Sequence, residues 1–276
     1  QCLRLIKFAS MRRGLLPFVL CFIAYVIFLG HSLHNRAAFG ADSAWPVRGY
    51  GLHDAVELLF APLLAWSHVC LVQGAVDVRT GSSDAMWSAA EVRRFMLAEA
   101  MYLAGHGMHA VVNGFEENRE KLFGLSAEEA LDNTSALFYF YHEVLSHSVQ
   151  YLGLVAIIVV AIYAEVGAKV QVELASRWGL MALTLLHALA WAMITIGTRT
   201  VQVLVPAFLV LALAGVPAAH GTLRSYFGRF AVLVLIVWSL WAWRHGGSFP
   251  TFQDLQGHNL EISARVFERL LSPVAR

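Results

Sequence analysis

Two histidine motifs hold most of the chemistry visible in this chain: His106-x-x-His109 and His142-Glu143-x-x-x-His147. The first pair lies one helical turn apart. That spacing presents two imidazoles to one metal ion, or one imidazole to each of two ions. At 100° per residue, Glu99, Tyr102, His106, His109, Asn113 and Glu117 share an arc of about 80°. In the second motif, Glu143 and His147 form an i, i+4 pair on one face. His142 diverges from His147 by about 140° on a straight α-helix. A straight helix therefore directs them to two metals, or makes one a ligand and the other a proton relay. The five-residue spacing also separates the motif from the HExxH zinc-protease signature.

Around these motifs lie other ionisable residues. His187 is a further candidate ligand, although its neighbours Leu186 and Trp191 equally suit plain packing. His53, Glu57 and His68 share an arc of about 60° on an earlier helix. Glu57 lies deep enough to need a partner, which a metal or His109 would supply, and His68 reads as a satisfied polar residue or a relay. His31, His34, His220, His245 and His258 fall at or beyond the ends of the apolar stretches and read as interfacial.

The elements that position these side chains follow from composition. The chain has 276 residues, of which 58% are hydrophobic and 14% charged, with a net charge of +1. Soluble domains average about 45–50% apolar and about 25% charged. A soluble enzyme, a disordered chain and a nucleic-acid binder are excluded on that contrast. The sequence predicts an all-α polytopic membrane bundle of about seven transmembrane helices, near 14–32, 54–76, 95–114, 136–164, 178–197, 200–220 and 226–244. Residues 1–246 read as a single transmembrane domain. Residues 247–276 form a tail whose Leu260, Ala264, Phe267 and Leu271 share one face of an amphipathic interfacial helix.

Thr198, Arg199 and Thr200 make a tight turn between the fifth and sixth spans, and Pro206 and Pro217 predict kinks in the sixth. Trp238, Trp241 and Trp243 read as an interfacial belt. Loop 115–135 is acidic and carries capping-box spacing at Ser126 to Glu129. Lys/Arg asymmetry puts the N-terminus on the cytoplasmic side and the C-terminus outside. The sequon at Asn133 then falls outside, in keeping with that orientation. Met11, followed by Arg12 and Arg13, reads as a start, and the first apolar stretch as a retained helix. Cys2, Cys21 and Cys70 are odd in number and give no disulfide framework.

Counting about 1.5 Å per residue from each membrane edge, His106 and His109 lie about 17–21 Å deep, and His142 and Glu143 about 20 Å. His147 and His187 lie about 14 Å deep on the same count. Imidazoles and carboxylates meeting at one level in a low-dielectric bundle suit zinc or non-haem iron. The expectation is an intramembrane metal-dependent enzyme acting on a lipid or other hydrophobic substrate, by hydrolysis or oxidation. His106, His109, His142, His147 and His187 are the candidate ligands. Glu143 is the candidate acid/base or bridging ligand, and Glu57 and Glu99 are further candidates. The alternatives are a haem- or pigment-binding subunit of an electron-transfer complex, with membrane-complex partners, and a structural or transport subunit.

Overall fold

The computed structural model describes residues 14–30, 52–82, 85–123, 140–166, 177–215, 218 and 222–250, with side chains left aside at 52–55, 57–58, 113–123, 143 and 177–178. The described residues form helices and short connections, with no strand among them. We label the helices α1 (Gly14–Gly30), α2 (Leu52–Thr80), α3 (Ala89–Phe123), α4 (His147–Glu165), α5 (Arg177–Gly197), α6 (Val201–Gly215) and α7 (Leu223–Arg244). A π-helical turn, Phe140–Ser146, runs directly into α4.

Among the described residues, four stretches are long and apolar enough to cross a membrane: Leu59–Thr80, Phe140–Glu165, Gly179–Gly197 and Leu223–Arg244. They make the chain an integral membrane protein by length and composition. α1 and α6 are apolar but shorter. α3 has 35 residues, about 52 Å of helix. Glu99, His106 and His109 lower the apolarity of its middle, so it is not among the four. The same residues that make α3 chemically interesting thus weaken it as a span. α3 also takes in 115–123, the start of the expected acidic loop. No glycine or proline interrupts that run before Gly124. The rest of that loop, Pro217 and residues 251–276 lie outside the described residues.

Local chemistry sets the helix ends. Ser88 and Glu91 form a capping box at the start of α3: the Ser88 N–H donates to Glu91 Oε2 at 2.7 Å, and the Glu91 N–H donates to Ser88 Oγ at 3.3 Å. Arg79, in the last turn of α2, pairs with Glu91 and closes the α2–α3 hairpin. Burial alone would raise the Glu91 carboxyl, but the Arg79 and Ser88 hydrogen bonds outweigh it and hold the group below its ordinary range. The start of α7 is capped twice. Thr222 Oγ1 accepts from the Ser225 N–H at 3.1 Å, and the Glu165 carboxylate accepts from the Leu223 N–H at 2.8 and 3.0 Å. Glu165 ends α4, so this cap ties α4 to α7 at one edge of the bundle. The α5–α6 turn is as tight as its residues predict, with Arg199 in the left-handed region at φ 56°.

Packing departs from the expected belt at one point. Trp238 is buried, and its Nε1 donates to Thr195 Oγ1 at 3.0 Å, pinning α7 to α5. Trp243 is 81% exposed. Five residues along a helix turn a side chain by about 140°, so one tryptophan faces the core and the other faces outward.

α3 and α4 are antiparallel and in backbone contact. A Cβ at Gly105 would lie 2.6 Å from both Gln150 Cα and Ser146 O, and one at Gly153 would lie 2.8 Å from Tyr102 Cα. Small residues permit this approach, as in membrane helix pairs generally.

Candidate metal centre

The α3–α4 contact sets the site. His109 on α3, His142 in the π-turn and His147 at the start of α4 converge, each offering a ring nitrogen within 4.8 Å of the others. All three are buried. The ring centroids are 4.7 Å apart for His109–His142, 4.5 Å for His109–His147 and 5.6 Å for His142–His147.

The π-turn removes the obstacle a straight helix would impose. Its i→i+5 geometry brings residues five apart back to one side, and His142 and His147 are five apart. The local cost falls on backbone carbonyls, whose α-helical partners are lost. Ser146 compensates by donating its hydroxyl to the His142 carbonyl. The Ser146 hydroxyl is thereby committed to the backbone.

Neutral imidazoles are good ligands for zinc, and zinc–nitrogen bonds measure about 2.0–2.1 Å. Ligand nitrogens at that radius in a tetrahedron lie a little over 3 Å apart. Nitrogens already within 4.8 Å can close on an ion by small ring movements. Three histidines would supply three donors to a bound ion, the protein donor count of catalytic rather than structural zinc.

Two sequence-predicted ligands stand outside this group. His106 lies one turn back along α3, where Gln150 Nε2 donates to its Nδ1 at 3.3 Å. His187 is fully buried, ringed by Phe18, Phe22, Trp191, Phe227 and Phe230. Its Nδ1 meets Tyr226 OH at 3.2 Å. The depth count placed His187 near the cluster, but aromatic side chains of α1 and α7 close around it.

Glu99 is also displaced from the triad. Its Oε2 lies 2.9 Å from Nδ1 of His68 on α2. The sequence raised His68 as satisfied or a relay but did not pair it with Glu99; the signal was that both sit toward the same edge of adjacent helices, each needing a partner. The side chains of Glu57 and Glu143 lie outside the described residues. Compared with known proteins, the chain matches no family model, no curated protein and no solved structure.

Proposed function

We propose that the chain is an intramembrane metalloenzyme that holds one zinc ion at His109, His142 and His147 and acts on a lipid or another hydrophobic substrate drawn from the bilayer. The observation that carries this reading is the convergence of three buried imidazoles from two antiparallel helices. Among the described residues the group is three nitrogen donors. Three imidazoles are a familiar zinc donor set, whereas the usual facial triad of non-haem iron has two histidines and one carboxylate. The close approach at Gly105 and Gly153 leaves no slot between α3 and α4 for a flat macrocycle, which argues against haem.

A bound zinc ion at such a site brings the acidity of water close to neutrality. Hydrolysis is therefore the preferred chemistry. The three histidines hold the ion with one position facing the substrate. Glu143, adjacent to His142 in sequence, is assigned the role of proton carrier for the attacking water. Burial of the three histidines keeps bulk water from the centre. About seven spans, a cytoplasmic N-terminus and a C-terminal interfacial helix complete the proposed topology.

Elemental analysis of the protein purified in detergent, with absorbance recorded on the same sample, tests this reading. One zinc per chain and no Soret band are expected, with zinc lost in His109→Ala, His142→Ala and His147→Ala. A chain that takes up no zinc when the metal is supplied overturns it, as does a Soret band.

A further inference from the structure

A second set of buried polar groups runs along α3, away from the triad. Glu99, Tyr102 and His106 succeed one another toward His109 on one helix face. From Glu99 to His109 is ten residues, about 15 Å along the axis. Glu99 is joined to His68 of α2 at 2.9 Å. Tyr102 stands between the two imidazoles, edge-on to His68 at 4.8 Å and stacked on His106 at 6.1 Å between centroids. His106 is held from α4 by Gln150. From α1, the neighbour of His68 is the uncharged Phe18.

The buried side-chain atoms that meet no protein partner among the described residues include His68 Nε2, Glu99 Oε1 and His106 Nε2, and outside this file His187 Nε2 and Trp191 Nε1. Buried polar atoms in folded proteins are normally satisfied, and ionisable groups inside membranes commonly serve proton movement. Packing alone does not call for four protonatable side chains in file, three with an open donor or acceptor. Glu99 also keeps 12% of its side chain exposed, whereas His68 keeps none. Glu99 thus stands at the more exposed end of the file, although its Oε1 is itself buried.

We infer that His106, Tyr102, His68 and Glu99 form an internal proton relay with Glu99 as its terminal acceptor. The relay takes onward the proton that Glu143 accepts when water is activated at the His109–His142–His147 centre, and so it rests on the metal reading. One O–H bond of that water breaks and one O–H bond forms on Glu99 Oε1. Each group between gains one proton as it gives one up, and no electron is transferred. Glu99 and His68 are relay groups and not ligands, so their removal leaves metal affinity in place.

Infrared difference spectroscopy on zinc addition to the purified full chain tests the relay. The wild type is expected to gain a protonated-carboxyl C=O band that is absent in Glu99→Gln, with zinc affinity equal in both. Tyr102→Phe keeps the ring and is expected to slow the band's appearance by about 100-fold. His68→Gln serves as the second relay variant if Glu99→Gln does not fold, and is expected to weaken the band. Zinc uptake without a carboxyl band, or with a band that persists unchanged in the variants, overturns the relay and leaves the metal site standing. A wild-type chain that takes up no zinc overturns both.

Discussion

Gly105→Ala perturbs the proposed centre without touching a ligand. A Cβ at this position lies 2.6 Å from Gln150 Cα and from Ser146 O, both backbone atoms of the helix opposite. Non-bonded carbons settle at about 3.5–4.0 Å, so α3 and α4 must part by about 1 Å. Overpacking of this kind costs about 1–3 kcal/mol of stability. His109 is four residues further along α3, and its partners His142 and His147 are on the other side of the contact. The separation therefore passes into the triad, where metal–ligand distances tolerate only about 0.2 Å. Zinc affinity is expected to fall by about 100-fold, equivalent to about 2.7 kcal/mol. Gly107→Ala is the control, since a Cβ there meets nothing within 4 Å. Removing a mid-helix glycine should stabilise that variant by about 0.5–1 kcal/mol and leave zinc affinity unchanged. Competition against a chromophoric chelator, with thermal melts on the same samples, reads both quantities. Wild-type affinity in Gly105→Ala, or equal loss in Gly107→Ala, would refute the argument that the helix contact builds the site.

Other outcomes follow from the same geometry. His187→Ala should keep its zinc, as measured by elemental analysis, yet lose about 2–4 kcal/mol in a thermal melt because it empties an aromatic enclosure. Glu165→Ala removes the acceptor for the Leu223 N–H and should cost about 1 kcal/mol in chemical denaturation. Glu91 is held below its ordinary value of 4.5, so the stability it contributes is present above that value and fades as pH falls below it. Glu91→Gln should therefore flatten the acid limb of the stability profile.

Much of this was legible from residue order. The apolar runs marked the helices, the Thr198–Thr200 turn was read correctly, and the His106-x-x-His109 face was placed on α3. What escaped the sequence was decided by contacts between helices. His142 and His147 point apart on a straight α-helix, and no local propensity marks the π-turn that realigns them. That turn sits where the chain packs against α3. The fate of His187 was set by Phe18 and Phe22 of α1 and by Phe227 and Phe230 of α7, residues remote from it in sequence. Trp238 looked interfacial beside Trp241 and Trp243, and its burial and its bond to Thr195 assign it to the core. Depth along a helix is a one-dimensional count, and it separates neither a ligand from a packing residue nor one helix face from another.

The most direct measurement is zinc K-edge X-ray absorption on the loaded, full-length protein. Three nitrogen scatterers with the outer-shell signature of imidazole are expected at about 2.0–2.1 Å, together with one further light atom. Sulfur in the first shell, a six-oxygen environment, or the same spectrum from His147→Ala would contradict it.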